Sequence, residues 1–290
     1  MIITQINTVD NMTFKSHLLN LKICTDNCYN DKMKNLKHIL VTNDDGYDSV
    51  ALHALVKELR KIATVTVVAP ASEKSACGHS LTLSHPLNFV SVDDDFYKLE
   101  DGTPSDCIYL ALHSMFDKQK PDLVVSGINK GSNMGEDITY SGTAAGAMEA
   151  VLQGVPAIAV SQVLDFTAPL PSFELAAKTV SKIVTKIFEG DFPLPEREFM
   201  NINVPSNVEE AELKVTYAGY RCYGNDAHLH RNPRGMEYYW LGLHPLDFRT
   251  RPGKEMLSDF EAIEQGYISV TPIQLDLSAY KSMNTLEAWL

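Results

Sequence analysis

Short apolar runs recur along the chain, each stopping at a polar or turn-forming cluster, and helical spacings lie between them. His38 to Asn43 (HILVTN) predicts a short buried strand. Leu52, Leu55, Val56 and Leu59 then fall at helical spacing between Val50 and Ile62. Val65 to Ala69 (VTVVA) predicts a second strand, stopped by Pro70. Pro104 to Phe116 places Ile108, Leu110, Ala111, Leu112 and Met115 in a helical pattern, with Pro104 suited to the first turn. Leu123 to Ser126 and Val155 to Val160 predict two more strands, flanking an Ala-rich helix from Gly142 to Gln153 that Gly154 closes. Residues 172 to 188 give a further amphipathic helix and Phe199 to Val204 a further strand.

Apolar strands alternating with helices predict an α/β fold, a mainly parallel sheet with helices on both faces. Ligands of such sheets bind beyond the carboxyl ends of the strands. From about residue 213 the strands become shorter, more polar and aromatic (Lys214 to Tyr217, Tyr238 to Trp240, Tyr267 to Val270), which predicts an antiparallel arm or subdomain followed by a last helix from about Leu277 to Leu290. The expected organisation is an extension over residues 1–35 and one domain over 36–290, divided into an α/β core over about 36–210 and an arm with its helix over about 211–290.

A net charge of −12 without a basic patch argues against a nucleic-acid polymer or an anionic membrane as partner. No segment approaches the ~20 apolar residues of a membrane span, and MIITQINTVDNMTF has neither a basic stretch nor an apolar core typical of a secretory signal. Five scattered cysteines, Cys24, Cys28, Cys77, Cys107 and Cys222, fit free thiols in a reducing compartment. A cytoplasmic protein is expected.

Polar clusters follow three of the apolar strands: Asn43-Asp44-Asp45-Gly46, the loop from Pro70 to Ser80, and Ser126-Gly127-Ile128-Asn129. Adjacent aspartates can simply mark a turn. Against a buried strand, however, two like charges are costly unless a cation neutralises them, and oxygen donors suit a hard divalent ion. Asn129 and Asn133 add neutral oxygens and amide donors. Ser141-Gly142-Thr143 stands just before the Ala-rich helix, where an N-cap serine and free N–H groups make a phosphate site as readily as an ordinary helix start. Ser75 and His79 lie in a loop where either reads equally as a surface residue. Asp106 and Cys107 read as helix capping and packing, His228 and His230 as solvated, and Glu136-Asp137 and Asp93 to Asp95 as loop charges. Neither GxxxxGK[ST] nor GxGxxG is present.

Taken together and in order, ILVTNDDG, VVAPxxxKSAxGHSLTL, GTPSDCIYLAL, PDLVVSGINKGSNMGEDITYSGTAAGAMEA, VPAIAVS, NINVP and EQGYISVTPIQLDL resemble the SurE family of survival-protein nucleotidases over roughly residues 37 to 290. The resemblance implies a Rossmann-like domain, a smaller C-terminal region used in oligomerisation, and a divalent-metal-dependent phosphomonoesterase acting on nucleoside 5′- and 3′-monophosphates. By the same resemblance Asp44, Asp45, Ser75 and Asn129 hold one divalent cation per subunit, Mg2+ or Mn2+, and the two aspartates are catalytic. Asn133, Ser141, Gly142 and Thr143 bind phosphate, His79 and Thr103 are candidates for the substrate pocket, and the chain forms a homodimer or homotetramer. Tyr47-Asp48-Ser49-Val50-Ala51 departs from the Ala-Pro-Gly that usually follows NDDG in the family. Two rivals are a nucleotide-binding regulator without hydrolysis and a phosphatase or esterase with a Cys or Ser nucleophile. The second would need an elbow such as GxSxG, which is absent.

Overall fold

The computed structural model describes residues 37–165, 171–224, 226–242, 247–250 and 255–290. The extension predicted for residues 1–35 lies outside them. In chain order the elements are β1 (His38–Thr42), α1 (Val50–Leu59), β2 (Thr64–Pro70), β3 (Phe89–Asp93), β4 (Phe96–Leu99), α2 (Pro104–Ser114) and β5 (Leu123–Lys130). A 3-10 turn (Gly135–Thr139) leads to α3 (Gly142–Leu152), followed by β6 (Ala157–Gln162), α4 (Glu174–Glu189), β7 (Glu198–Val204) and β8 (Leu213–Val215). The remainder comprises β9 (Tyr220–Cys222), β10 (Asp226–Arg231), β11 (Glu237–Gly242), β12 (Asp247–Arg249), α5 (Asp259–Glu264), β13 (Ile268–Gln274) and α6 (Tyr280–Trp289).

Among the described residues one large sheet runs β3-β4-β2-β1-β5-β6-β7-β13-β8. Its centre is parallel, from β4 through β7, while β3 and β13 pair antiparallel to β4 and β7. Side-chain alternation builds a core on each face: Ile39 and Val41 join one with α1 and α4, and Leu40 joins the other with α2 and α3. The chain leaves β1 for β2 on one side and later returns to β5 on the other, so β1 and β5 flank the point where strand order reverses. Crevices for ligands open at such points.

The sheet reaches further than the sequence pattern predicts. β13 and β8 belong to it, whereas the pattern from residue 213 suggests a separate arm. The misleading feature is polarity: Ser269 and Thr271 are buried, and Thr271 is satisfied by a 2.7 Å bond between its Oγ1 and that of Thr216. Among the described residues only the pairs β10–β11 and β9–β12 lie outside. The hairpin β3–β4 also escapes the pattern, because Phe96 and Leu99 alone bury in the four residues of β4 and the acidic run supplies its turn. α5 is six residues long and starts at a capping box of Ser258 and Glu261. No helix among the described residues is long and apolar enough to cross a membrane.

Helix α3 lies unusually close to the sheet centre because it carries Gly146. A Cβ there would stand 2.9 Å from both Ser126 Oγ and Thr42 Cγ2. Gly146→Ala is therefore expected to lower stability by about 1–2 kcal/mol, overpacking outweighing the ~1 kcal/mol gain in helix propensity. Urea unfolding measures this, and an unchanged or higher midpoint would show that Ser126 and Thr42 yield.

Candidate active site

Asp44 stands two residues past the end of β1, is 3% exposed, and faces the first turn of α3. The Thr143 hydroxyl donates a short hydrogen bond to Asp44 Oδ1, and the Thr143 backbone N–H also acts on this carboxylate. Contact this close requires Gly142, where a Cβ would lie 2.8 Å from Asp44 Cβ and 2.9 Å from Cys77 Sγ. Ser141 caps the helix by accepting from Ala144 N–H at 2.9 Å. A helix N-terminus, carrying a partial positive charge, thus points at a buried acid.

Burial still dominates. It raises the Asp44 carboxyl to about 6, with the Thr143 bonds opposing the shift and Asp45 adding to it. Asp45 is raised by burial as well, opposed by Lys130, and its side chain is 8% exposed. Its Oδ2 accepts from Lys130 N–H at 3.1 Å, and Lys130 Nζ stands 4.0 Å from Oδ1. Among the described residues Asp45 has a lysine within salt-bridge distance, and Asp44 forms no salt bridge.

The other predicted ligands arrive through their neighbours. Lys74 N–H donates to the Asp44 carbonyl at 2.7 Å, which draws the loop bearing Ser75 beside the acid pair. Ser75 Oγ itself donates to Glu73 at 2.8 Å. Asn129 immediately precedes Lys130, and its Nδ2 donates to the Gly131 carbonyl at 2.9 Å. The register of β5 against β6 shifts between Ser126 and Asn129, and the strand end meets the acid pair through the Lys130 N–H. Among the described residues no three His, Cys, Asp or Glu side chains cluster for a metal. The donors at this edge are two buried carboxylates, of which Asp45 has Lys130 beside it, with neutral oxygens adjacent, and that set fits a hard divalent cation.

Asn133 is held on all sides. Its N–H donates to Asn203 Oδ1 at 2.8 Å, its carbonyl accepts from Asn201 and Asn203 at 2.9 and 3.0 Å, and its Nδ2 donates to Ser161 Oγ at 2.8 Å. One amide hydrogen and the Oδ1 of Asn133 remain for a ligand. His79 pairs with the buried Glu149 at 2.8 Å and borders an apolar cleft of about 510 Å3 that Met148, Leu152 and Leu275 also line. Thr103 is committed elsewhere: it donates to the Ser80 carbonyl at 2.8 Å and forms the capping box of α2 with Asp106, and it does not line that cleft. Cys107 is buried, its thiol pushed up by desolvation, while burial and Asp44 push Cys77 up to about 11, so neither is a ready nucleophile. In the departing loop Tyr47 packs on the core under Lys98, and Asp48 points outward.

Lys130, Glu149 and the clamp of Asp137 on Arg221 (2.8 and 2.6 Å) were not legible beforehand. Lys130 had one signal, its place next to Asn129 in a strand-end cluster.

A mainly parallel α/β sheet with an acid pair and a capped helix N-terminus at its switch point defines a Rossmann-like protein built to handle a small charged ligand. The family described as Survival protein SurE matches residues 39–225, and this chain belongs to it. The 5′-nucleotidase SurE of Sulfurimonas denitrificans is 64% identical over 259 residues, covering 87% of this chain and 98% of that protein. That of Nitratiruptor sp. is 56% identical over 260 residues, 88% and 100% of the two chains. The crystal structure of the SurE protein from Aquifex aeolicus has a TM-score of 0.72 at 40% identity and covers 87% of this chain and 99% of its own.

A carboxyl group raised above its ordinary 3.8 in the folded state favours folding below that value and loses the benefit as pH rises through about 6. In EDTA the wild type should accordingly lose about 2–3 kcal/mol between pH 4 and pH 7.5 from Asp44 alone. Asp44→Asn should remove most of that slope and raise the melting temperature at pH 7.5. A variant less stable than wild type at pH 7.5 would show that the charged acid is not under strain.

Proposed function

We propose that this protein is a divalent-cation-dependent phosphomonoesterase that hydrolyses nucleoside 5′- and 3′-monophosphates to nucleoside and phosphate. The observation that carries the reading is the buried Asp44 carboxylate set against the N-terminus of α3 with the Asp45 carboxylate next to it. The name 5′-nucleotidase of relatives at 64% and 56% identity supports the substrate class.

Asp44, Asp45, Ser75 and Asn129 would hold one cation, Mg2+ or Mn2+. Bound there, such an ion supplies positive charge to a phosphoryl oxygen and to the leaving oxygen. The chain's own groups do the rest. Ser141 accepts from Ala144 N–H and keeps its own hydroxyl hydrogen to donate. That hydrogen, the Gly142 N–H and the second amide hydrogen of Asn133 bind the equatorial oxygens and stabilise the charge spread over them. Thr143 keeps its hydroxyl on Asp44 and fixes that carboxylate. Asp45, steadied by Lys130, would accept the proton of the attacking nucleophile.

The second copy needed for a homodimer or homotetramer would cover the parts that stand alone. β10–β11 is an isolated pair with Tyr239, Trp240 and Leu241 exposed, and α6 buries none of its residues while exposing Met283, Leu286 and Trp289. A two-stranded hairpin alone is marginally stable in water. The described cysteines Cys77, Cys107 and Cys222 are free, in keeping with a cytoplasmic place of action.

Phosphate release from a nucleotide panel should vanish in EDTA and return with Mg2+ or Mn2+. Asp44→Asn and Asp45→Asn should each cost at least about a thousandfold in kcat while remaining folded. Turnover that survives in both purified variants sinks the assignment, and no release with any metal favours a nucleotide-binding regulator. Light scattering should give two or four times the 32.2 kDa of one chain, and Trp240→Asp should lower that mass. A monomer at micromolar concentration would leave the exposed hairpin without its partner.

A further inference from the structure

The groups placed on the phosphate leave the base of a nucleotide unassigned. Tyr140 stands immediately before Ser141, at the same helix end, and 58% of it is exposed. Its backbone is fixed, since its N–H donates to the Asp137 carbonyl at 3.0 Å and its carbonyl accepts from Gly78 N–H at 2.9 Å. Its ring is packed in neither core cluster. It meets Tyr223 instead, edge to face, with centroids 6.3 Å apart and planes at 82°.

Tyr223 is itself anchored. Its hydroxyl donates to Asp137 Oδ1 at 2.6 Å, and Asp137 Oδ2 holds Arg221 Nε and Nη2 at 2.8 and 2.6 Å. The Arg221 guanidinium lies 4.4 Å above the Phe260 ring. A chain of contacts from the C-terminal part therefore fixes an aromatic pair at the rim of the phosphate site. One edge-to-face contact leaves a ring face open to solvent. An exposed flat ring beside a phosphate-binding helix end is what a base on the same small molecule can stack on, and stacking is tolerant of base identity because every base has a π-face.

We propose that Tyr140 is the stacking platform for the nucleobase and that Tyr223 is its positioning residue, so the site selects nucleoside monophosphates as a class over sugar phosphates without a base and discriminates little among bases. This rests on the nucleotidase reading. A rival place for the base is the apolar cleft beside His79 and Met148, which begins at Thr139, next to Tyr140, and runs on to Ile273 and Leu275 toward the amino end of β7.

The test compares AMP and CMP with ribose 5-phosphate, which has the same ester and no base. Tyr140→Ala should raise KM for AMP and CMP about tenfold with kcat within a factor of two, and the effect on ribose 5-phosphate should be at least five times smaller. Tyr140→Trp should restore the nucleotide KM, and Tyr223→Phe should raise it by a smaller factor. Equal losses on nucleotide and ribose 5-phosphate would overturn the proposal, because Tyr140 would then only shape the helix end. So would a neutral Tyr140→Ala alongside a Met148→Ala that raises KM for nucleotides. Should the wild type release no phosphate from any nucleotide, the nucleotidase reading fails by itself. Titration with AMP by calorimetry then decides the platform: weaker binding in Tyr140→Ala supports it, and unchanged binding refutes it.

Discussion

Everything at the carboxyl edge of the sheet depends on α3 reaching β1 at van der Waals distance. Two residues without side chains permit it. Gly142 lets the helix end touch Asp44, and Gly146 lets the next turn rest on Ser126 and Thr42. Only then can the Thr143 hydroxyl and backbone N–H serve the Asp44 carboxylate, and only then does the helix dipole act on it. The Thr143 bonds oppose the rise that burial imposes, and the Asp44 carboxyl still stands at about 6. It is a destabilised ground state maintained by packing elsewhere.

Strand order does the complementary part. Because β1 sits between β2 and β5, the segments that follow all three open into one crevice, and three clusters far apart in the chain meet there. This much was legible in the sequence. Five apolar runs (β1, β2, β5, β6 and β7) gave the parallel centre, and the polar cluster after each of β1, β2 and β5 marked the edge. The hairpin of β3 and β4 was not legible, since four residues with two buried positions carry too little periodicity. Nor was the membership of β13 in the main sheet, where small buried hydroxyls replace the aliphatic side chains that a central strand normally shows.

Within the site, residue types were readable and orientations were not. Nothing local says that Ser75 turns to Glu73, that Lys130 braces Asp45, or that Thr103 spends its hydroxyl on Ser80. Glu136 and Asp137 read as solvated loop charges, yet they anchor β9: the Glu136 carboxylate accepts from Arg221 N–H and Asp137 takes the Arg221 side chain. Those partners lie 85 and 84 residues away, beyond any periodic signal. Buried Asp259 acts in the same way. Its two oxygens accept from the N–H groups of Gly135, Gly219 and Phe260, tying the loop before α3 to the segment entering β9.

The asparagines of β7 show what this positioning costs. Asn201 and Asn203 are fully buried in a strand flanked by apolar residues, where aliphatic side chains would pack with no polar group to satisfy. Both instead donate to the Asn133 carbonyl, and Asn203 also accepts from its N–H. Among the described residues Asn201 Oδ1 is left without a partner, a deficit of about 1–3 kcal/mol for a buried acceptor. A stability argument alone gives no reason to keep it. The reason lies 68 and 70 residues upstream: Asn133 sits on an irregular loop between β5 and α3, where backbone freedom would spread the positions of its amide. Hydrogen bonds from a rigid central strand remove that freedom before any ligand arrives, so the entropy of ordering the loop is met in folding rather than in binding.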